Sequence, residues 1–171
     1  MLLANKLVAQ QIAIPKSGSV KPFVYRIHDL PDQEKIVEFS RFVKTLGYSF
    51  DPNASSKSIG FQNLLNQVKG KDEEALINEL AIRSMAKAIY SPDNIGHYGL
   101  GFKYYSHFTS PIRRYSDLIV HRLLFNYKNL KSGEIYSLAQ LEEICENISA
   151  SERNAVEAER FSVKQKQIEY L

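Results

Sequence analysis

A single cysteine, Cys145, stands in the 171 residues, which excludes an internal disulfide and suits a reducing compartment. It falls in a helical pattern and reads as a small buried side chain. No run of about 18 apolar residues occurs, so no membrane span is predicted. Met1-Leu2-Leu3 lacks the basic-then-apolar layout of a secretory leader, and a cytoplasmic chain is expected. No Cys/His spacing matches a zinc site, and no phosphate-binding loop pattern is present. Tyr98-Gly99-Leu100-Gly101 holds a G-x-G but no third glycine opening a helix, so it fails as a dinucleotide motif. The neighbouring acids Glu73-Glu74 and Glu142-Glu143 lie in predicted helices, where adjacent side chains diverge, and no magnesium site is read from this chain. Internal repeats and low-complexity tracts are absent too.

What remains is globular in composition. Hydrophobic residues make up 44% and charged residues 24%, enough for one well-filled core. A net charge of +3 permits a nucleic-acid partner without requiring one, so the placement of the charges decides.

Along the chain, Met1 to Ile14 reads as an amphipathic helix through Leu3, Leu7, Val8 and Ile12, ended by Pro15. It starts without a capping residue, and the sequence is expected to be cut from something longer. Lys16 to Lys21 is a polar loop, and Phe23 to Ile27 is an extended segment, read as a linker strand with one apolar face. Pro31 and Asp32 open a helix through Ile36, Phe39, Val43 and Leu46 that Gly47 closes. Tyr48 to Lys57 is a loop, Ile59 to Val68 a helix broken by Gly70, and Asp72 opens a longer helix ending near Tyr90. Ser91 to Gly101 is irregular, and Phe102 to Phe108 is a candidate strand. A second long helix is predicted from Pro111 to Tyr127, then a loop from Lys128 to Ser137 containing Gly133. Leu138 to Leu171 holds no glycine or proline and reads as one helix of about 50 Å. A compact domain of this length has a radius of gyration of only about 15–16 Å. The helix is therefore expected to break, or to pack its far end against other chain. The fold class is mainly α, an α+β fragment of packed helices with a few short strands.

The stretch from His97 to Leu124, HYGLGFKYYSHFTSPIRRYSDLIVHRLL, concentrates the chemistry. Thr109-Ser110-Pro111 is a helix-start signal, with Ser110 as cap and Pro111 in the first helical position. Arg113 and Arg114 then fall in the first turn, where the helix dipole disfavours cations and free N–H groups attract anions. Two outcomes stand open: an anion site, or ion pairs with carboxylates of the same protein. Arg113, Asp117 and His121 are four apart and share a helix face, so an Arg113–Asp117 pair with His121 as second partner is the structural reading. Aromatics cluster just before the arginines in the sequence, at Tyr98, Phe102, Tyr104, Tyr105 and Phe108, and Tyr115 follows them. Charge beside aromatic rings is one physical solution for binding single-stranded nucleic acid, although core filling accounts for most such rings taken singly. In the last helix, Ser151-Glu152-Arg153 and Glu157 to Arg160 read as a solvated charged face.

HFTSPIRRYSDLIVHR (His107 to Arg122) resembles the signature of the ribonuclease II/ribonuclease R family, nearer the ribonuclease R branch. MLLANKLVAQQIA (Met1 to Ala13) is similar to that family's A-N-x-x-V-A helix, and PFVYRIHDLPDQEKI (Pro22 to Ile36) to its P-x-x-Y-R-x-H-x-x-P segment. ASERNAVEAER (Ala150 to Arg160) is similar to its closing helix. The resemblance implies a processive 3′→5′ exoribonuclease that hydrolyses single-stranded RNA to nucleoside 5′-monophosphates with divalent metal, Mg2+ being expected for the full-length enzyme. It implies that Arg113 contacts a phosphate near the RNA 3′ end and that Glu159 lies close to the active centre, these two forming the catalytic set. Thr109, Ser110, Arg114, Tyr115 and His107 complete the expected RNA-binding set. In the family the metal-binding aspartates, the base-clamping aromatics and the flanking RNA-binding domains lie outside the stretches matched here. Residues 1–171 are thus expected to be the C-terminal portion of a catalytic domain, to bind no metal and to be inactive alone. The alternative expectation is a non-catalytic RNA-binding module.

Overall fold

The computed structural model describes residues 1–14, 21–50, 57–128 and 136–170, and of 57–59 the backbone alone. In chain order the elements are α1 (Leu2–Ala13), β1 (Tyr25–Ile27), α2 (Gln33–Thr45), α3 (Lys57–Val68), α4 (Glu74–Ser84), β2 (Ile89–Ser91), α5 (Tyr115–Lys128) and α6 (Leu138–Tyr170), with a 3-10 turn at Tyr98–Leu100. The mainly-α class is the observed one. The loops expected at Lys16–Lys21, Tyr48–Lys57 and Lys128–Ser137 fall largely outside the described residues.

Two compact units form. The first holds Met1–Ile27, Ile89–Asn94 and Tyr104–Leu171. Its centre is a two-stranded antiparallel sheet in which Arg26 faces Tyr90. The backbone N–H of Arg26 also reaches the Tyr105 carbonyl at 2.9 Å. The Tyr90 N–H donates to Ser149 Oγ at 3.0 Å, which ties β2 to α6. Around the sheet the core gathers Ala9, Phe23, Val24, Ile119, Val120, Leu123, Leu141 and Cys145. Burial pushes the Cys145 thiol up to about 12, as a small core side chain requires.

Several expectations change here. Phe23, Val24, Tyr25 and Ile27 are all buried, so the segment is covered on both faces and is no linker with one apolar side. In α1 the inward residues are Asn5 and Ala9, with Val8 and Ile12 beside them, while Leu3 and Leu7 face solvent. Asn5 turns inward because its amide answers two buried groups: Nδ2 donates to the Tyr105 hydroxyl and Oδ1 accepts from the Phe108 N–H, both at 3.1 Å. Phe102 to Phe108 forms no strand, since Tyr105 and Ser106 are buried side by side rather than alternating. The last helix is, by contrast, the single long helix expected: it runs unbroken for 33 residues, and everything from Arg153 to Tyr170 is exposed.

The second unit holds His28–Ala88 and Ile95–Lys103. Phe39, Val43, Phe61, Leu64, Val68, Ile77 and Ala81 fill it, with Phe39, Phe50 and Phe61 in mutual ring contact. Asp32 caps α2 by accepting from the Glu34 N–H at 2.9 Å, and Gly47 ends it at a φ of +83° that a side chain would disfavour. The α4 helix stops at Ser84 rather than near Tyr90. Met85 turns to extended backbone, and the residues beyond are recruited into the β1–β2 pair. Within this unit the Gly99 N–H donates to His28 Nδ1 at 2.9 Å, and His28 Nε2 meets the Ala86 carbonyl at 2.7 Å.

Candidate nucleic-acid interface

The site starts from the backbone of Ser110. Its carbonyl accepts the N–H groups of Arg113 (3.3 Å) and Arg114 (3.2 Å), which closes a turn over residues 110–114. The helix therefore begins at Tyr115 and not at Pro111, and Arg113 lies outside it. Ser110 supplies the turn with its backbone groups, and its expected place as the α5 cap is lost with the helix start.

Asp117, in the first turn of α5, has no exposed side-chain surface and collects the donors. Ser110 N–H reaches Oδ2 at 2.7 Å, Arg114 Nε reaches Oδ1 at 2.9 Å, Arg114 Nη2 reaches Oδ2 at 2.8 Å, and Ser116 Oγ donates to Oδ1 at 3.1 Å. Burial alone would raise the carboxyl's pKa. Hydrogen bonds from Arg114, Ser110 and Ser116, with the arginine's charge, outweigh it and leave the group below its ordinary value. The Arg113–Asp117–His121 series of the sequence does not form. Asp117 takes Arg114 instead, while His121 Nε2 lies 2.8 Å from the Phe108 carbonyl and stacks on the Phe108 ring at 4.3 Å.

Arg113 is left exposed and makes no ion pair among the described residues. Tyr115, 52% exposed, follows it. Both face a groove of about 680 Å³ lined also by Arg114 and, from α6, by Ser151, Glu152 and Glu159. The structure thus gathers Arg113, Arg114, Tyr115 and Glu159 in one concavity. Ser110, Thr109 and His107 do not line it. The Thr109 hydroxyl is buried without a partner among the described residues. His107 Nδ1 shares a 2.8 Å hydrogen bond with the Tyr90 hydroxyl and meets the Tyr90 and Tyr105 rings edge-on. Burial raises the Tyr90 hydroxyl above its usual 10.0, against lowering by Ser116 and Arg26, so it stays protonated.

Two residues escaped the sequence reading. Glu152 is only partly solvated, unlike the exposed charges from Arg153 to Arg160: its carboxylate receives both Arg26 Nη groups, at 2.6 and 3.1 Å. Arg26 also lies over the Tyr90 ring, 4.5 Å from its centre. The available signal was Arg26 itself, a cation inside an apolar extended segment, which demands a buried partner. For divalent metal the described residues are a poor fit. Glu152 is already neutralised by Arg26, and no group of three or more His, Cys, Asp or Glu side chains gathers among the described residues.

Comparison with known proteins bears on the same residues. The RNB domain model matches residues 1–129. Ribonuclease R of Aquifex aeolicus is 40% identical over 174 aligned positions, which take in 100% of this chain and 24% of that protein. The chain therefore spans about a quarter of the length of this relative. Among solved structures, Mycoplasma genitalium RNase R in complex with ribose-methylated single-stranded RNA superposes with a TM-score of 0.81 at 29% identity, over 94% of this chain and 25% of that one. Yeast Ssd1, described as a pseudonuclease, superposes with a TM-score of 0.74 at 27% identity, over 86% of this chain and 18% of that one.

Proposed function

The chain belongs to the RNB domain family, and from that premise we propose that it provides the phosphate-contacting part of a cytoplasmic 3′→5′ exoribonuclease that cuts single-stranded RNA to nucleoside 5′-monophosphates. The observation that carries this reading is the groove lined by an arginine unpaired among the described residues, an exposed tyrosine and a carboxylate. Arg113 offers a planar fork to a phosphate and offsets negative charge there. Tyr115 offers a ring on which a base stacks. Glu159 accepts hydrogen bonds, which RNA presents through its 2′-hydroxyls. A divalent ion, Mg2+ in our reading, supplies water activation in such an enzyme. Among the described residues no helix is long and apolar enough to cross a membrane.

A second reading, a non-catalytic RNA-binding module, is favoured by the lack of a metal-holding carboxylate cluster among the described residues and by the likeness to a pseudonuclease. Incubating the purified chain with labelled single-stranded RNA and magnesium tests both. Binding without release of nucleoside monophosphate is expected of the chain; release would contradict the assignment of the metal chemistry to other residues. The complete gene product is expected to release 5′-monophosphates, and its failure to do so would decide for the module.

A further inference from the structure

We propose that Asp117 and Arg114 form a clamp that aims Arg113 at an RNA phosphate, so that only one of the two adjacent arginines meets the ligand. The inference rests on the RNA-binding reading above and assigns the labour within that site. Four donors fill the Asp117 carboxylate, and two of them are the Nε and Nη2 of one guanidinium. Arg114 is thereby engaged side-on, its side chain only 18% exposed and its charge balanced by a wholly buried anion. With its charge offset in this way it attracts a phosphate less than a free guanidinium does. Arg113 differs on both counts: it is exposed, and it is unpaired among the described residues.

The clamp also accounts for the order of the turn. Ile112, between Pro111 and Arg113, is 102% exposed, so no apolar packing fixes the apex. What fixes it is Ser110, whose N–H is bonded to Asp117 and whose carbonyl takes the N–H groups of Arg113 and Arg114. The backbone of Arg113 is set before any ligand arrives, which reduces the ordering cost of binding. Arg114 and Asp117 are positioning residues: they act on RNA through Arg113. Lysine cannot replace Arg114 in this role, because it keeps the charge and loses the fork.

A double-substitution cycle tests this, using the full chain and a labelled single-stranded oligoadenylate. R113A is expected to weaken binding about tenfold or more, as the loss of one charge-assisted contact does. R114K and D117N are each expected to weaken it about fivefold alone and to add nothing on the R113A background, the non-additivity of residues acting as one unit. An R114K effect of equal size with and without Arg113 would mean that Arg114 meets RNA itself, and would overturn the proposal. If D117N fails to fold, as read by its thermal melt, the R114K cycle decides alone. If R114K fails to fold as well, the pair serves the fold rather than the aim of Arg113, and the proposal falls. R113A binding as tightly as the unsubstituted chain would remove the underlying RNA reading, an outcome that no pattern among the other variants imitates.

Discussion

A carboxylate held wholly inside a protein stays ionised only where its neighbours replace more than the hydration it has lost. Asp117 meets that condition through Ser110, Arg114 and Ser116, and its folded pKa lies below the ordinary 3.8. Between the two values the unfolded chain binds more protons than the folded one. The contribution to stability is therefore complete above about pH 4 and is lost as pH falls through the folded pKa. Urea midpoints measured across acid pH are expected to drop for the native chain and to drop less for D117N; parallel profiles would contradict the pairing. The pairing itself was only half legible. Spacing put Arg113 and Asp117 on one helix face, which is right for residues that are both helical. Because the turn delays the helix to Tyr115, Arg114 takes the carboxylate and Arg113 is released. Start positions of helices depend on such local bonds, and a Ser-Pro pair does not reveal which carbonyl closes the turn.

Elements whose ends are written in their own residues were the readable ones. Asp32 and Gly47 bracket α2, and its inward face follows the apolar period. By contrast β2 exists because β1 pairs with it and Ser149 of α6 binds its backbone, partners far away in the sequence, so local pattern extended the preceding helix through it. The inward face of α1 escaped for a related reason, since Asn5 is buried to satisfy Tyr105 and Phe108. The Arg26–Glu152 bridge is the long-range bond between β1 and α6 that matters most for the groove, because it holds the helix that carries Glu159. With Arg26 12% and Glu152 39% exposed, the pair is partly screened, and R26A is expected to lower unfolding free energy by about 1–2 kcal/mol. Denaturant unfolding measures this directly, and an unchanged midpoint would show the bridge to be idle.

At the scale of the whole molecule, each unit keeps its own apolar core, and the net charge of +3 is too small to make RNA binding a matter of general attraction. The RNA binding proposed above then rests on charges in particular places, Arg113 first among them. The dependence of single-stranded RNA affinity on salt reads it most directly. On a plot of log affinity against log salt concentration, each phosphate neutralised on a single strand contributes a slope of about 0.7. R113A is expected to bind more weakly than the unsubstituted chain and to lose about 0.7 of the slope, one phosphate's worth. Equal slopes for the two proteins would contradict it.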